Sequence, residues 1–102
     1  MSPFLVRHGD LLVSRVDQIP SGAAKRPHLV LAEGELTGHS HRIAESQSAK
    51  LFQFQNDLYL EVVAAEATLI HQEHGPIALP KGFYKAWRQR EYSPREIRTV
   101  RD

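Results

Sequence analysis

Four of the six histidines fall in two tight groups, Gly38-His39-Ser40-His41 and His71-Gln72-Glu73-His74. In an extended strand, residues two apart share a face, so His39, His41, Ile43 and Glu45 are expected along one side of one strand. Two imidazoles thus stand side by side with a carboxylate further on. Where thiolates are absent, imidazole and carboxylate suit zinc, iron, nickel, manganese or copper. The chain has no cysteine, which excludes disulfides, zinc-thiolate sites and thiol nucleophiles. About thirty residues after His41, the residues His71, Glu73 and His74 close a predicted strand. A neighbouring strand could bring one or two of them to the same centre, and three protein ligands with an open position make a catalytic type of metal site. His71 and His74 differ in parity, so a regular strand aims only one of them at that centre unless the turn at Gly75-Pro76 bends the chain. His8 and His28 each stand alone in the sequence and are read as surface or hydrogen-bonded residues.

The same residue types support a metal-free chemistry. Paired histidines with a nearby lysine or arginine can cleave RNA, one imidazole taking the 2′-hydroxyl proton, another protonating the leaving oxygen, and a cation stabilising the phosphorane. Glu73 would orient a histidine or act as ligand or base. Residues 81–102 carry seven basic against three acidic side chains, and residues 1–80 six against nine, so the net charge of +1 hides a basic end. Lys81, Lys85, Arg88 and Arg90 are therefore the candidate RNA contacts. The alternative for this end is a solvated basic edge, with Phe83 and Trp87 in the core. A third class is a non-catalytic oligomeric module whose histidines sense pH or support assembly.

The apolar pattern comes in short runs separated by turn residues, which predicts strands. These are Leu11 to Val16 after the turn signal Gly9-Asp10, His28 to Ala32, Thr37 to Ala44, Leu51 to Phe54, Leu58 to Val63, Ala67 to Gln72, Ile77 to Leu79 and Phe83 to Gln89. A loop is expected from Ile19 to Pro27. Turns are expected at Gln55-Asn56-Asp57, where a hairpin forms, at His74-Gly75-Pro76, and at Pro80-Lys81-Gly82. Ser93-Pro94-Arg95-Glu96 combines an N-cap serine, a proline at the first helical position and a glutamate three after the cap, predicting a short C-terminal helix. So many strands in 102 residues imply one all-β domain over residues 1–102, a small β-barrel or sandwich.

On two stretches the chain resembles the cupins. Gly34-x4-His39-Ser40-His41-x3-Glu45 is similar to the core of their first motif, with the leading glycine one residue closer and no trailing glycine. Gly75-x4-Pro80-Lys81-Gly82-x2-Lys85 is similar to the second, with Lys85 where that motif has a histidine ligand. The resemblance implies a cupin-like barrel holding one divalent metal, Zn, Fe, Ni or Mn, on His39, His41 and Glu45. With Lys85 at the fourth position, His71 or His74 is the substitute.

The composition, 41% hydrophobic and 25% charged, is that of a folded globular chain. The N-terminus has no basic leader before a long apolar run, and no segment reaches the ~18 apolar residues of a membrane span. A cytoplasmic location, no membrane partner, a small-molecule ligand and a homo-oligomer are expected. No glycine-rich phosphate loop or nucleophile elbow is present, so kinase, GTPase, serine hydrolase and dinucleotide-binding functions lack support.

Overall fold

The computed structural model describes residues 5–33, 40–72 and 74–88. Among them are the strands β1 (Leu5–His8), β2 (Leu11–Val16), β3 (Ala24–Lys25), β4 (Val30–Glu33), β5 (Ser40–Ile43), β6 (Ala49–Phe54), β7 (Asp57–Ile70) and β8 (Ile77–Arg88). All pairings are antiparallel. The order is β1-β2-β8-β7-β5-β4, with β6 beside β7 and β3 beside β6. The sheet curls into a half-barrel, so the fold is all-β as expected. Among the described residues no helix is long and apolar enough to cross a membrane. The C-terminal helix expected from Ser93 lies outside the described residues.

The long β7–β8 hairpin is the spine, and its irregularity makes the sheet curl. Pairing runs from Leu58↔Ala86 to Val62↔Gly82 and resumes at Glu66↔Pro80, so three residues of β7 face one of β8. Extra residues on one strand bend it and tighten its twist. The amides freed on β7 are satisfied elsewhere, since Val63 N and Ala64 N donate to Ser48 O at 2.9 and 3.2 Å. Below the bend β7 pairs with β6, and above it with β5, through Arg42↔Ile70 and Ile43↔Leu69.

The expected turn at Pro80-Lys81-Gly82 is corrected to an irregular point inside one strand. β2 reaches β8 only from Phe83 onward, so Pro80 lies where β8 has β7 as its one strand partner and a missing N–H is tolerated. Arg15 Nη2 donates to Lys81 O at 2.6 Å, and its guanidinium lies 5.6 Å from the Tyr84 ring centroid. The Tyr84 hydroxyl donates to Pro80 O. Gly82 has φ +149°, and a Cβ there would sit 2.5 Å from Arg15 Nη2.

Alternation sets the core. Leu11, Val13, Leu51, Leu60, Val62, Leu69, Leu79 and Tyr84 are fully buried, each leucine contributing about 1.5–3 kcal/mol by leaving water. Three further expectations are corrected. Leu58 to Val63 and Ala67 to Ile70 are parts of one strand, because β7 runs on from Asp57 to Ile70 through the bulge, with His71 and Gln72 past its end. The expected loop from Ile19 to Pro27 contains β3, paired through Ala24↔Gln53 and Lys25↔Phe52. Leu5 to His8, given no element from sequence, forms β1 against β2.

Candidate histidine site

The site begins with the β1–β2 hairpin. His8 pairs with Leu11 across the two-residue turn Gly9-Asp10. Gly9 has φ +67°, whereas Asp10 is not in the positive-φ region, the pattern of a type II′ turn that suits the twist of the flanking strands. Leu11 and Val13 point inward, and His8, cross-strand neighbour of Leu11, is 2% exposed.

Two more histidines continue apolar rows. His41 precedes Ile43 on the inner face of β5 and is 4% exposed. His71 follows Ala67 and Leu69 on the inward row of β7, just past its end, and is half-buried. Gln72 Oε1 accepts from Ser40 N at 3.0 Å, tying this end of β7 to β5. His74 lies exposed in the turn that leads into β8.

These elements gather four imidazoles. Ring centroids are 4.3 Å apart for His41 and His71, 4.7 Å for His71 and His74, and 5.0 Å for His8 and His41. The remaining pairs lie at 5.5, 6.0 and 6.1 Å. His8 Nδ1 and His41 Nδ1 face each other at 2.9 Å. The outer nitrogens turn to fixed acceptors: His8 Nε2 donates to Gly75 O at 2.9 Å, and His41 Nε2 lies 3.3 Å from Asp10 Oδ1. Asp10 Oδ2 in turn accepts from Arg88 Nε at 3.1 Å. Gly9 fits closely under the cluster, for a Cβ there would lie 2.5 Å from His74 Nε2 and 3.3 Å from His41 Cε1. Among the described residues, no set of three or more His, Asp or Glu side chains already stands in a metal-holding arrangement.

The electrostatics keep the inner pair neutral. Burial, then the proximity of His71 and His8, lowers the pKa of His41 to about 4, against a smaller opposing pull from Asp10. Burial also lowers that of His8, partly offset by the Gly75 carbonyl. Burial alone would raise the pKa of Asp10, but the Arg88 guanidinium, His41 and a backbone hydrogen bond together outweigh it and keep the carboxyl below its ordinary value. Near pH 7 the His8–His41 pair therefore presents neutral rings beside a carboxylate, and neutral imidazole is the form that ligates metal.

A family model described as Domain of unknown function (DUF8820) matches residues 7–89. The chain belongs to this family. No curated protein and no solved structure matches the chain. The span that the DUF8820 model matches takes in His8, Asp10, His41, His71, His74 and Arg88, all the groups of the cluster and its supports.

Within this DUF8820 domain the expected site residues separate. His41, His71 and His74 are brought together. His39 and Glu73 lie outside the described residues. Glu45 is engaged away from the cluster, where its carboxylate accepts from Thr68 N at 2.9 Å and from Thr68 Oγ1 at 2.7 Å, bonds that lower its pKa. Lys85 lies 3.4 Å from Asp57 Oδ2 and 5.7 Å from the Trp87 ring centroid. Of the basic residues expected at RNA, Arg88 supports Asp10, Lys81 is exposed, and Arg90 lies outside the described residues. His8 and Asp10 were missed. The signal for them was the Gly9-Asp10 turn, which requires a partner strand before it and so folds His8 back beside Leu11.

Proposed function

We propose that this domain is a divalent-metal module whose centre is the facing pair His8 Nδ1 and His41 Nδ1, with His71 or His74 completing the ligand set by a side-chain torsion. The reading is carried by one observation, the direction of the four ring nitrogens of that pair. A carbonyl only accepts, so His8 Nε2 carries its ring's proton toward Gly75 O. His41 Nε2 lies 3.3 Å from the Asp10 carboxylate, which favours the tautomer that carries the proton on Nε2. Each neutral ring has then used its one N–H, and two bare Nδ1 lone pairs confront each other at 2.9 Å. A divalent ion held between the two nitrogens would use both lone pairs, whereas the other tautomer of either ring would close the contact as a plain N–H···N hydrogen bond. Two imidazoles on tetrahedral zinc have nitrogens roughly 3.3 Å apart, given Zn–N distances of about 2.05 Å, so a small opening of the pair admits the ion. Imidazoles that ligate metals ordinarily give their other N–H to a carboxylate or a backbone carbonyl, which fixes tautomer and ring direction. A bound ion would supply Lewis-acid polarisation of a small ligand. Asp10, Gly75 and Arg88 hold the rings. Of the donors expected from sequence, His39, His41 and Glu45 with His71 or His74, this proposal retains His41 and His71 or His74. His8 replaces Glu45, whose carboxylate is occupied by Thr68.

The test is elemental analysis of untagged protein, followed by Zn²⁺ titration of the chelator-treated protein. Near-stoichiometric metal, or saturable Zn²⁺ uptake abolished in a His8→Ala, His41→Ala double variant that stays folded, is expected. Protein that neither retains metal nor takes up Zn²⁺ refutes the reading. RNA cleavage that persists in excess chelator and is lost in the same variant would instead assign the pair to general acid–base chemistry.

A further inference from the structure

Beside the histidine cluster the curled sheet leaves an open cavity of about 450 Å³, within the usual size range of small-ligand sites. It lies between β4 on one side and β6, the start of β7 and the end of β8 on the other. Leu31 and Leu58 line it together with the polar side chains of Arg26, Gln53, Arg88 and Glu33. Two guanidiniums thus line it with one carboxylate, and one of the two, Arg88, is also paired with Asp10.

The state of Arg26 is the informative feature. Its Nη1 donates to Gln53 Oε1, and its Nη2 lies 3.4 Å from the Nε2 ring nitrogen of His28. Neither partner carries negative charge, and among the described residues no carboxylate pairs with Arg26. The guanidinium is held in place without being neutralised. Gln53 is itself anchored, donating through Nε2 to Gln55 O at 3.2 Å. Arg88 uses only Nε on Asp10, which leaves the donors of both Nη groups. A guanidinium is a planar fork that matches a carboxylate bidentately, and the apolar lining residues Val30, Leu31, Ala32 and Leu58 give a small organic body something to rest on that a bare inorganic ion would not use.

We propose that this cavity binds a small organic carboxylate, its anionic end between Arg26 and Arg88 and its apolar part on Leu31 and Leu58. The site does not need the metal. It does share a wall with the histidine centre, because Ala32, which lines the cavity, is the cross-strand neighbour of His41, and Arg88 reaches His41 through Asp10.

Benzoate is the probe, titrated into isotopically labelled full-length protein and followed by amide chemical shifts, first in excess chelator and then with Zn²⁺. Saturable shifts centred on Leu31, Ala32 and Leu58 are expected in chelator, weakening as salt is raised. Arg26→Gln and, separately, Arg88→Gln should each weaken binding roughly tenfold or more, as loss of a charge-assisted hydrogen bond does, while the dispersed amide spectrum persists. The neutral isostere benzamide should bind far more weakly, and inorganic phosphate should not match benzoate. Binding that appears only with Zn²⁺ and is lost in the His8→Ala, His41→Ala double variant overturns the cavity assignment and leaves the metal reading standing. No binding under either condition, binding indifferent to both arginines, or phosphate equal to benzoate also overturns it.

Discussion

Replacing Gly9 by alanine is the smallest change that should disturb the histidine cluster without removing a ring, and its effect divides into two parts. The backbone part follows from φ +67°, a region that L side chains enter at a cost of roughly 1–3 kcal/mol. The packing part follows from the 2.5 Å between the added Cβ and His74 Nε2, with His74 Cδ2 at 3.0 Å and His41 Cε1 at 3.3 Å. Ordinary contact needs about 3.5 Å or more, so the His74 ring must retreat by about 1 Å, while His41, paired to His8 and held by Asp10, has less room to give. At the lower end of that cost, about 1–2 kcal/mol, thermal unfolding should move down by roughly 5–15 °C for a domain of this size, and Zn²⁺ affinity should fall with it. Gly75 is the internal control, since a Cβ there meets nothing within 4 Å. Gly75→Ala should leave Tm and Zn²⁺ binding near the parent values. In a His74→Ala background the Gly9→Ala change should cost less, because the His74 clash is gone and only the backbone part and the 3.3 Å contact with His41 Cε1 remain. Circular dichroism melts and calorimetric Zn²⁺ titrations of the four variants provide the data. Equal Tm and affinity for Gly9→Ala and the parent, or equal damage from Gly75→Ala, would show that the turn does not brace the cluster as argued.

Asp10→Asn keeps the shape of the side chain but removes the charge beside His41 Nε2, and Zn²⁺ affinity measured by competition with a chromogenic chelator should fall about 10–100-fold. Glu45→Ala should lower Tm by releasing Thr68 N and Oγ1, yet leave Zn²⁺ stoichiometry unchanged; loss of metal there would restore Glu45 as a ligand. The chelator-treated protein should lose stability as pH falls from the ordinary histidine value near 6.5 towards about 4, because His41 resists protonation in the folded state while the unfolded chain takes up that proton first. Denaturant midpoints that stay level across this window, or a His41→Gln variant with the same slope, would contradict the burial of a neutral ring.

Alternation of apolar residues and the spacing of turn signals were enough to place β2, β6 and the β6–β7 turn, and the all-β class followed from them. The same reading broke the hairpin arms at Pro80-Gly82 and around Ala64-Ala65. Local composition reports where a chain can turn, whereas the pairing of β7 with β6 and then β5 rewards a continuous strand with a bulge. Leu5 to His8 escaped notice because four residues show too little alternation to stand out, and their strand character comes from pairing with β2.

The two local groups, His39 with His41 and His71 with His74, were legible in sequence, and the fold brings His41, His71 and His74 of them together. The two inward rows, His41 with Ile43 and His71 with Leu69, were readable as the ends of apolar faces. Glu45 shares parity with His41, but parity fixes only a side of the strand, and the carboxylate is used by the neighbouring Thr68, which stands 23 residues away. Sequence by itself thus determined the strand class, the absence of thiol chemistry and two local groups of histidines. Tertiary structure alone decided that His8, solitary in the chain, lies 2.9 Å from His41 across 33 residues, with Asp10 and Gly75 holding the outer nitrogens. The physical reason is that a sheet's curl and register bring residues together by hydrogen-bonded pairing, a relation between strands that no single strand encodes.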